Sequence, residues 1–340
     1  MNDAHYMQRC IQLASIGSGH TAPNPMVGAV IVHRNRIIGE GWHREYGKEH
    51  AEINALAVVK DQSLLGESVL YVNLEPCSHF GKTPPCSDAI IKAGIKRVVI
   101  GMQDPFTEVN GRGIEKLRNA GIDVTVGISE SACRMLNKRF ITFHKEKRPY
   151  IILKWAESAD GFIGRINEKV KISNNYSQVL VHRWRSEEAG IMAGTQTVRN
   201  DNPRLDARYW NAKNPVRIII DRELTLDKAL HVFDGSQSTI VFTNKEKDSA
   251  DNCTFITIKA GENELQQMMD HLYKNEIQSV LVEGGAALLS TFIKNNLWDE
   301  ARVIHAPLEL KDGIKAPAFH HAPDHSEKSG DDVINFYQNQ

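Results

Sequence analysis

His50-Ala51-Glu52, Glu75-Pro76-Cys77 and Pro85-Cys86, with eight residues between the two cysteines, bring one imidazole and two thiols into play. Those three donors can hold a zinc ion and leave its fourth position open to water. Zinc held in this way is a Lewis acid that draws the pKa of water towards neutrality. The matching electrophile is an amidine-like carbon bearing an exocyclic amine. Glu52, two residues from His50, is free to take the water proton, pass it to a ring nitrogen and then protonate the leaving amine. The plainer reading is a structural zinc knuckle, but knuckles use four protein ligands and short Cys-x-x-Cys spacing. Cys10, Cys133 and Cys253 read as small buried hydrophobes.

The elements that must position these residues follow from hydrophobic periodicity. Residues 3–17, with Ala4, Met7, Ile11, Leu13 and Ala14, predict an amphipathic helix that the glycines and prolines of 17–25 break. Val27–His33 and Arg36–Gly41 predict a hairpin turned at Arg34-Asn35. Glu49–Lys60, Ser87–Ala93 and 111–120 read as helices, and Val69–Leu74, Arg97–Gly101 and 122–126 as strands. This alternation implies a layered α/β domain with a mostly parallel sheet. His50 and Cys86 then open helices while Cys77 follows a strand, so all three meet at one sheet edge, where helix N-termini add positive potential. The basic stretch Phe140–Pro149 reads as a connector between a domain at 1–145 and a second at 146–340. In the second, strands are expected at Tyr150–Lys154, Gly190–Ala193, Val216–Ile220, Thr239–Phe242, Thr254–Ile258, Ser279–Val282 and Ala301–His305. Helices are expected at 174–187, 262–275 and 285–294, and the last thirty residues read as loop-rich, with a structure that pattern does not reveal. No zinc-type triplet recurs, so the second domain is not a repeat of the first.

Length and charge narrow the partners. A chain of 340 residues favours two domains. Lys plus Arg (41) nearly cancels Asp plus Glu (42), leaving no global basic field for a nucleic-acid backbone. Five cysteines, an odd and sparse set, suit a reducing compartment. No apolar run approaches the ~18 residues of a membrane span and no secretory leader is evident, so a cytoplasmic location without membrane partners is expected. Assembly into a homo-oligomer stays open.

The string Glu75-Pro76-Cys77-Ser78-His79-Phe80-Gly81-Lys82-Thr83-Pro84-Pro85-Cys86 resembles that of the deaminase of riboflavin biosynthesis, whereas general nucleoside deaminases have two residues between the cysteines. Pro23-Asn24-Pro25-Met26-Val27-Gly28 and Gly41-Trp42-His43 resemble the same family, so the likeness spans about residues 4–145. It implies a cytidine-deaminase-like domain in which Asn24, His43, His79 and Lys82 contact substrate, the lysine serving a phosphate. Asn24 between two prolines can also be read as a turn residue, and the two histidines as ordinary polar side chains.

Ile152-Leu153-Lys154-Trp155-Ala156-Glu157-Ser158-Ala159-Asp160-Gly161 and the run from Ala193 to Leu205 are similar to the reductase half of the bifunctional riboflavin enzyme. That resemblance implies a dihydrofolate-reductase-like α/β fold using NADPH. Leu281-Val282-Glu283-Gly284-Gly285 places small residues between a strand and a helix, where backbone N–H groups can approach phosphate. It is not the Gly-x-Gly-x-x-Gly of a Rossmann unit. By resemblance Ala156, Lys171, Thr197, Asp201 and the segment Gly285, Ala286, Ala287, Leu288 and Leu289 line NADPH, while Arg185, Leu205, Arg208 and Glu283 hold substrate. Arg185 and Arg208 can clamp a phosphate; a surface charge is the lesser reading of either. Lys154 and Asp201 are the candidate proton donors. Lys171 stands where many relatives carry a tryptophan, which removes a stacking contact, and the resemblance fades beyond Pro307.

Together these features imply two linked reactions on a phosphoribosyl pyrimidine: zinc-dependent deamination to a uracil, then NADPH-dependent reduction of the ribosyl group to ribityl. A tRNA adenosine or cytidine deaminase with an unrelated appendage is the alternative enzyme. A non-catalytic zinc-stabilised nucleotide-binding module is the alternative of another kind.

Overall fold

Along Gly28–His33 (β1) side chains alternate between two apolar layers, Ala29 and Ile31 in one, Val30 and Val32 in the other. Leu70 and Val72 of Val69–Leu74 (β3) join the first layer, and Val69 and Tyr71 the second. Strands buried on both faces need helices on both sides of their sheet. The molecule is a computed structural model that describes residues 2–78, 80, 84–106, 110–166, 168–250, 252–261 and 263–339. It divides into two compact units, 1–147 and 148–340.

In the first unit Asp3–Ser15 (α1) buries Met7, Cys10, Leu13 and Ala14 in one layer. Ala51–Ala57 (α2), Cys86–Lys92 (α3) and Arg112–Asn119 (α4) supply Ala51, Ala55, Ile90, Ile114 and Leu117 to the other. The five-stranded sheet, with Arg36–Trp42 (β2), Arg97–Met102 (β4) and Asp123–Val126 (β5), has the order β2-β1-β3-β4-β5. Only β3-β4-β5 runs parallel; β1 is antiparallel to both neighbours, so the sheet is mixed rather than mostly parallel. The hairpin turns where expected, with Arg34 and Asn35 both at positive φ (46° and 65°), as a two-residue loop matched to strand twist requires.

The stretch expected as a connector does hold the boundary between the units, after Lys147, but most of it is helix. Glu130–Leu136 (α5) is followed by Lys138–Glu146 (α6), which buries Phe140 and Phe143. Those two aromatics, three positions apart, seat one helix face, and the His144 ring packs against both, at 4.4 and 5.4 Å between centroids. Periodicity hidden under a charged composition was the missed signal.

The second unit holds a nine-stranded sheet. In sequence its strands are Tyr150–Glu157 (β6), Gly190–Gly194 (β8), Val216–Ile220 (β9), Thr239–Thr243 (β10), Cys253–Thr257 (β11), Ser279–Val282 (β12), Glu300–His305 (β13), His325–Ser329 (β15) and Asp332–Gln338 (β16). Phe162–Gly164 (β7) and Ile314–Lys315 (β14) form a separate pair. The order β11-β10-β9-β8-β12-β6-β13 is parallel throughout, and β16 and β15 continue it antiparallel. Asn175–Glu187 (α7), Thr195–Asp201 (α8), Glu264–Lys274 (α9) and Ala286–Lys294 (α10) are its helices. The tail, expected to be loop-rich, therefore contributes two strands to the nine-stranded sheet, besides β14. Ile334 is fully buried beside Ile304, but its partner strand β13 lies far upstream, so the segment alone carries too little pattern to declare itself.

Gly28 shows how tightly the first unit's layers meet: an added Cβ would lie 2.1 Å from the Cys10 carbonyl oxygen of α1. Gly28→Ala is expected to destabilise the first unit by about 1–3 kcal/mol through overpacking. Hydrogen exchange resolved along the chain checks this, with protection falling in residues 1–147 and unchanged in 148–340.

Candidate active sites

At the carboxyl end of β3 the chain passes through Cys77, and α2 and α3 begin at the same edge, with His50 as the residue before α2 and Cys86 the first of α3. His50 Nδ1 lies 3.6 Å from Cys77 Sγ and 3.3 Å from Cys86 Sγ, and all three donor atoms fall within 4.8 Å of one another. A tetrahedron with zinc–ligand bonds of ~2.0–2.3 Å has edges of about 3.3–3.8 Å, so the donor set fits zinc. Cys77 Sγ also accepts the Cys86 backbone N–H at 3.3 Å. A hydrogen bond from Cys86 and the imidazole of His50 outweigh burial and bring the Cys77 thiol down to about 4, while that pairing and burial drive Cys86 up.

Glu52 lies in the first turn of α2, 3% exposed. Burial, reinforced by Cys77, lifts its carboxyl to about 7, which suits a group that must take and return a proton. Behind the ligands, the buried carboxylate of Glu75 accepts four backbone N–H groups, from Asp104 (3.1 Å), Gly111 (2.9 Å), Gly113 (2.9 Å) and Ile114 (3.2 Å). It thereby ties the segment before Cys77 to the start of α4. The sequence reading used Glu75 only as part of a motif and missed this.

The pocket wall also has a readable hydrogen-bond sense. His43 is 2% exposed; its Nδ1 is 3.1 Å from the Glu49 carbonyl oxygen and its Nε2 3.1 Å from Asn24 Nδ2. A carbonyl only accepts, so Nδ1 carries the proton and the neutral ring's Nε2 accepts from the Asn24 amide. Burial lowers the His43 pKa and favours that neutral form. The Asn24 Oδ1 is thereby kept as an acceptor. The Met26 backbone is gripped by two asparagines: Asn137 Oδ1 accepts its N–H (2.8 Å), and Asn137 and Asn73 both donate to its carbonyl (2.9 and 3.1 Å). Neither asparagine was singled out from sequence, and Asn137, over a hundred residues away, offered no local signal. His79 and Lys82 lie outside the described residues.

In the second unit β8, β12 and β6 are adjacent and parallel, so α8 and α10 both start at the edge where β6 ends. An added Cβ on Gly285 would stand 3.0 Å from Thr197 Oγ1, and one on Gly284 2.7 Å from Leu288, so both glycines permit a close approach that a side chain would obstruct. Ala156, Thr197 and Gly285–Ala287 lie at this edge, where backbone N–H groups of helix starts can approach phosphate, whereas Asp201 ends α8 and Leu289 is fully buried in the core. The polar run after β8 forms helix α8. Lys171 is exposed and donates to Asn175.

Arg185 and Glu283 form a buried fork, 2.7 and 2.9 Å, with Lys154 Nζ 3.3 Å from the same carboxylate. Burial alone would raise Glu283; Arg185 and then Lys154 outweigh it and hold it at about 2. Burial lowers Lys154, against the pull of Glu283. Arg185 also donates to the Asp206 carbonyl at 3.1 Å, and Arg208 pairs with Asp206, so both guanidinium groups already have protein partners. Leu205 as a whole residue is 2% exposed and sits in the core with Ile191, Val198 and Ile219.

A metal-ready acid–base site in one α/β unit and a dinucleotide-ready sheet edge in the other define a chain with two enzymes, a zinc deaminase and a nucleotide-dependent reductase. Comparison with known proteins agrees. Residues 1–102 match the cytidine and deoxycytidylate deaminase zinc-binding region, and residues 149–314 the RibD C-terminal domain. Riboflavin biosynthesis protein RibD of Aquifex aeolicus is 41% identical over 92% of this chain and 89% of its own length. That of Bacillus amyloliquefaciens is 39% identical over 93% and 87%. A crystal structure of the Thermotoga maritima diaminohydroxyphosphoribosylaminopyrimidine deaminase/5-amino-6-(5-phosphoribosylamino)uracil reductase has a TM-score of 0.90 at 34% identity, covering 99% of both chains. The chain belongs to the RibD family of riboflavin biosynthesis proteins. It is a bifunctional enzyme, deaminase and reductase, with zinc and NADPH as cofactors.

The Glu283 carboxylate is held below its unfolded value of ~4.3. Its contribution is therefore present above that pH and lost as pH falls from ~4.3 towards 2. Glu283→Gln, which strands Arg185, is expected to cost about 3–5 kcal/mol at pH 7, a penalty that shrinks on acidification across that window. Tryptophan fluorescence during denaturant unfolding at several pH values reads it, since Trp155, Trp184, Trp210 and Trp298 all lie in this unit.

Proposed function

We propose that the first unit hydrolyses 2,5-diamino-6-(5-phosphoribosylamino)pyrimidin-4-one to 5-amino-6-(5-phosphoribosylamino)uracil, and that the second reduces the ribosyl group of that product to ribityl with NADPH. The observation that carries this reading is the convergence of His50, Cys77 and Cys86 beside a buried Glu52. It occurs in a chain that aligns along nine-tenths of its length with RibD proteins. Zinc, when bound, supplies Lewis acidity at an open position. His50, Cys77 and Cys86 hold it; Glu52 moves protons between water, ring nitrogen and departing amine. Asn24, fixed by His43, presents an acceptor to the pyrimidine, and His79 and Lys82 complete the substrate contacts, the lysine at the phosphate.

In the reductase, nicotinamide supplies the hydride and the protein supplies orientation. Ala156, Lys171, Thr197, Asp201 and Gly285–Leu289 hold NADPH; Arg185, Leu205, Arg208, Glu283 and Lys154 hold the pyrimidine. Lys154 or Asp201 gives the proton that the opening sugar ring oxygen requires. Substrates are small phosphorylated molecules rather than nucleic acid, and the site of action is the cytoplasm. Among the described residues no helix is long and apolar enough to cross a membrane.

Glu52→Ala is expected to keep one zinc per chain while deamination falls about 10²–10⁴-fold; metal analysis beside ammonia release checks both, and an undiminished rate refutes the role of Glu52. Removing zinc with a chelator is expected to abolish ammonia release and leave NADPH oxidation intact when the uracil intermediate is supplied directly. Ammonia release from cytidine or tRNA, but not from the phosphoribosyl pyrimidine, would overturn the assignment.

A further inference from the structure

Leu205 has φ +53°, a left-handed conformation that a branched side chain seldom adopts without external support. The support is visible. Three consecutive carbonyl oxygens are each captured by a side-chain donor from a different part of the unit. Arg217 Nε of β9 donates to the Arg204 carbonyl at 3.0 Å. Gln237 Nε2, just before β10, donates to the Leu205 carbonyl at 3.1 Å, and Arg185 of α7 to the Asp206 carbonyl at 3.1 Å.

Arg217 is otherwise hard to explain. It is 1% exposed and interrupts the apolar strand Val216–Ile220, where a hydrophobic residue would spare the desolvation of a charge. Its remaining nitrogens are fixed by Asp234 (2.8 Å) and Ser236 (3.1 Å), which aims Nε at the loop. Gln237 acts purely as a donor: Nε2 faces the carbonyls of Leu205 and Pro215, while its Oε1 is buried with no partner among the described residues. With the Leu205 side chain locked in the core, the backbone of 204–206 has no freedom to relax.

We propose that Arg217 and Gln237 are positioning residues for the pyrimidine substrate of the reductase, holding the 204–206 backbone preformed in a conformation it would not keep alone. The inference rests on the reading that Leu205 and Arg208 meet that substrate. Neither residue touches the cofactor-binding edge formed by Thr197 and Gly285, so their effect falls on one substrate of the two. A binding segment displaced by about 1 Å can cost up to ~10²-fold in catalytic efficiency.

The test uses the full chain with Arg217→Lys, which keeps the charge beside Asp234 but loses the Nε donor, and Gln237→Leu, which removes both amide donors. Steady-state NADPH oxidation with 5-amino-6-(5-phosphoribosylamino)uracil is expected to show the KM for the pyrimidine raised about tenfold or more. The KM for NADPH should stay within about twofold, as should ammonia release by the deaminase. An unchanged pyrimidine KM in both variants overturns the proposal. So does a parallel loss of kcat and both KM values together with a lowered melting temperature, since that marks a merely structural role. Failure of the unaltered chain to oxidise NADPH would overturn the functional reading itself, and this inference with it.

Discussion

Both sites depend on one constraint of parallel sheets: a strand that ends beside a helix that begins leaves backbone N–H groups and a crevice at the same edge. In the first unit the edge beyond β3 receives Cys77 directly and, through the starts of α2 and α3, His50, Glu52 and Cys86. In the second, β8 and β12 each run into a helix, and Gly284 and Gly285 keep the space between those helix starts open. The same geometry suits a cation held by thiolates in one case and an anionic dinucleotide in the other. What differs is the side chain placed at each helix start.

Buried carboxylates hold these edges in shape. Glu75 takes four backbone N–H groups, three from the start of α4 and one from Asp104 after β4. Glu283 instead neutralises Arg185 and Lys154, which would otherwise be buried charges facing each other. Such groups add little net stability compared with apolar packing, but removing one partner strands the rest. They therefore fix conformation, and with it the placement of the reacting groups.

The cluster of His50, Cys77 and Cys86 and the placing of Glu52 in the helix that His50 precedes were legible from residue types and spacing, because ligand chemistry admits few donor sets and helix starts and strand ends can be read locally. Most strands of both sheets were legible for a similar reason, their apolar runs being short and bounded by turn residues. The errors fell where local pattern was weak. Phe140 and Phe143 lie under a basic composition that disguised helix α6, and the C-terminal strand β16 depends on a partner about thirty residues upstream.

The sequence by itself determined which atoms could bind metal, which group could carry protons, and that a second α/β domain follows the first. Tertiary structure alone decided how those groups are oriented. Asn137 reaches Met26 across 111 positions, and the Glu49 carbonyl sets the His43 tautomer that turns the Asn24 amide. Arg217 and Gln237 hold a leucine backbone at positive φ from two other elements. Hydrogen bonds between residues far apart in the chain follow from strand order and layer packing, which no local spacing encodes.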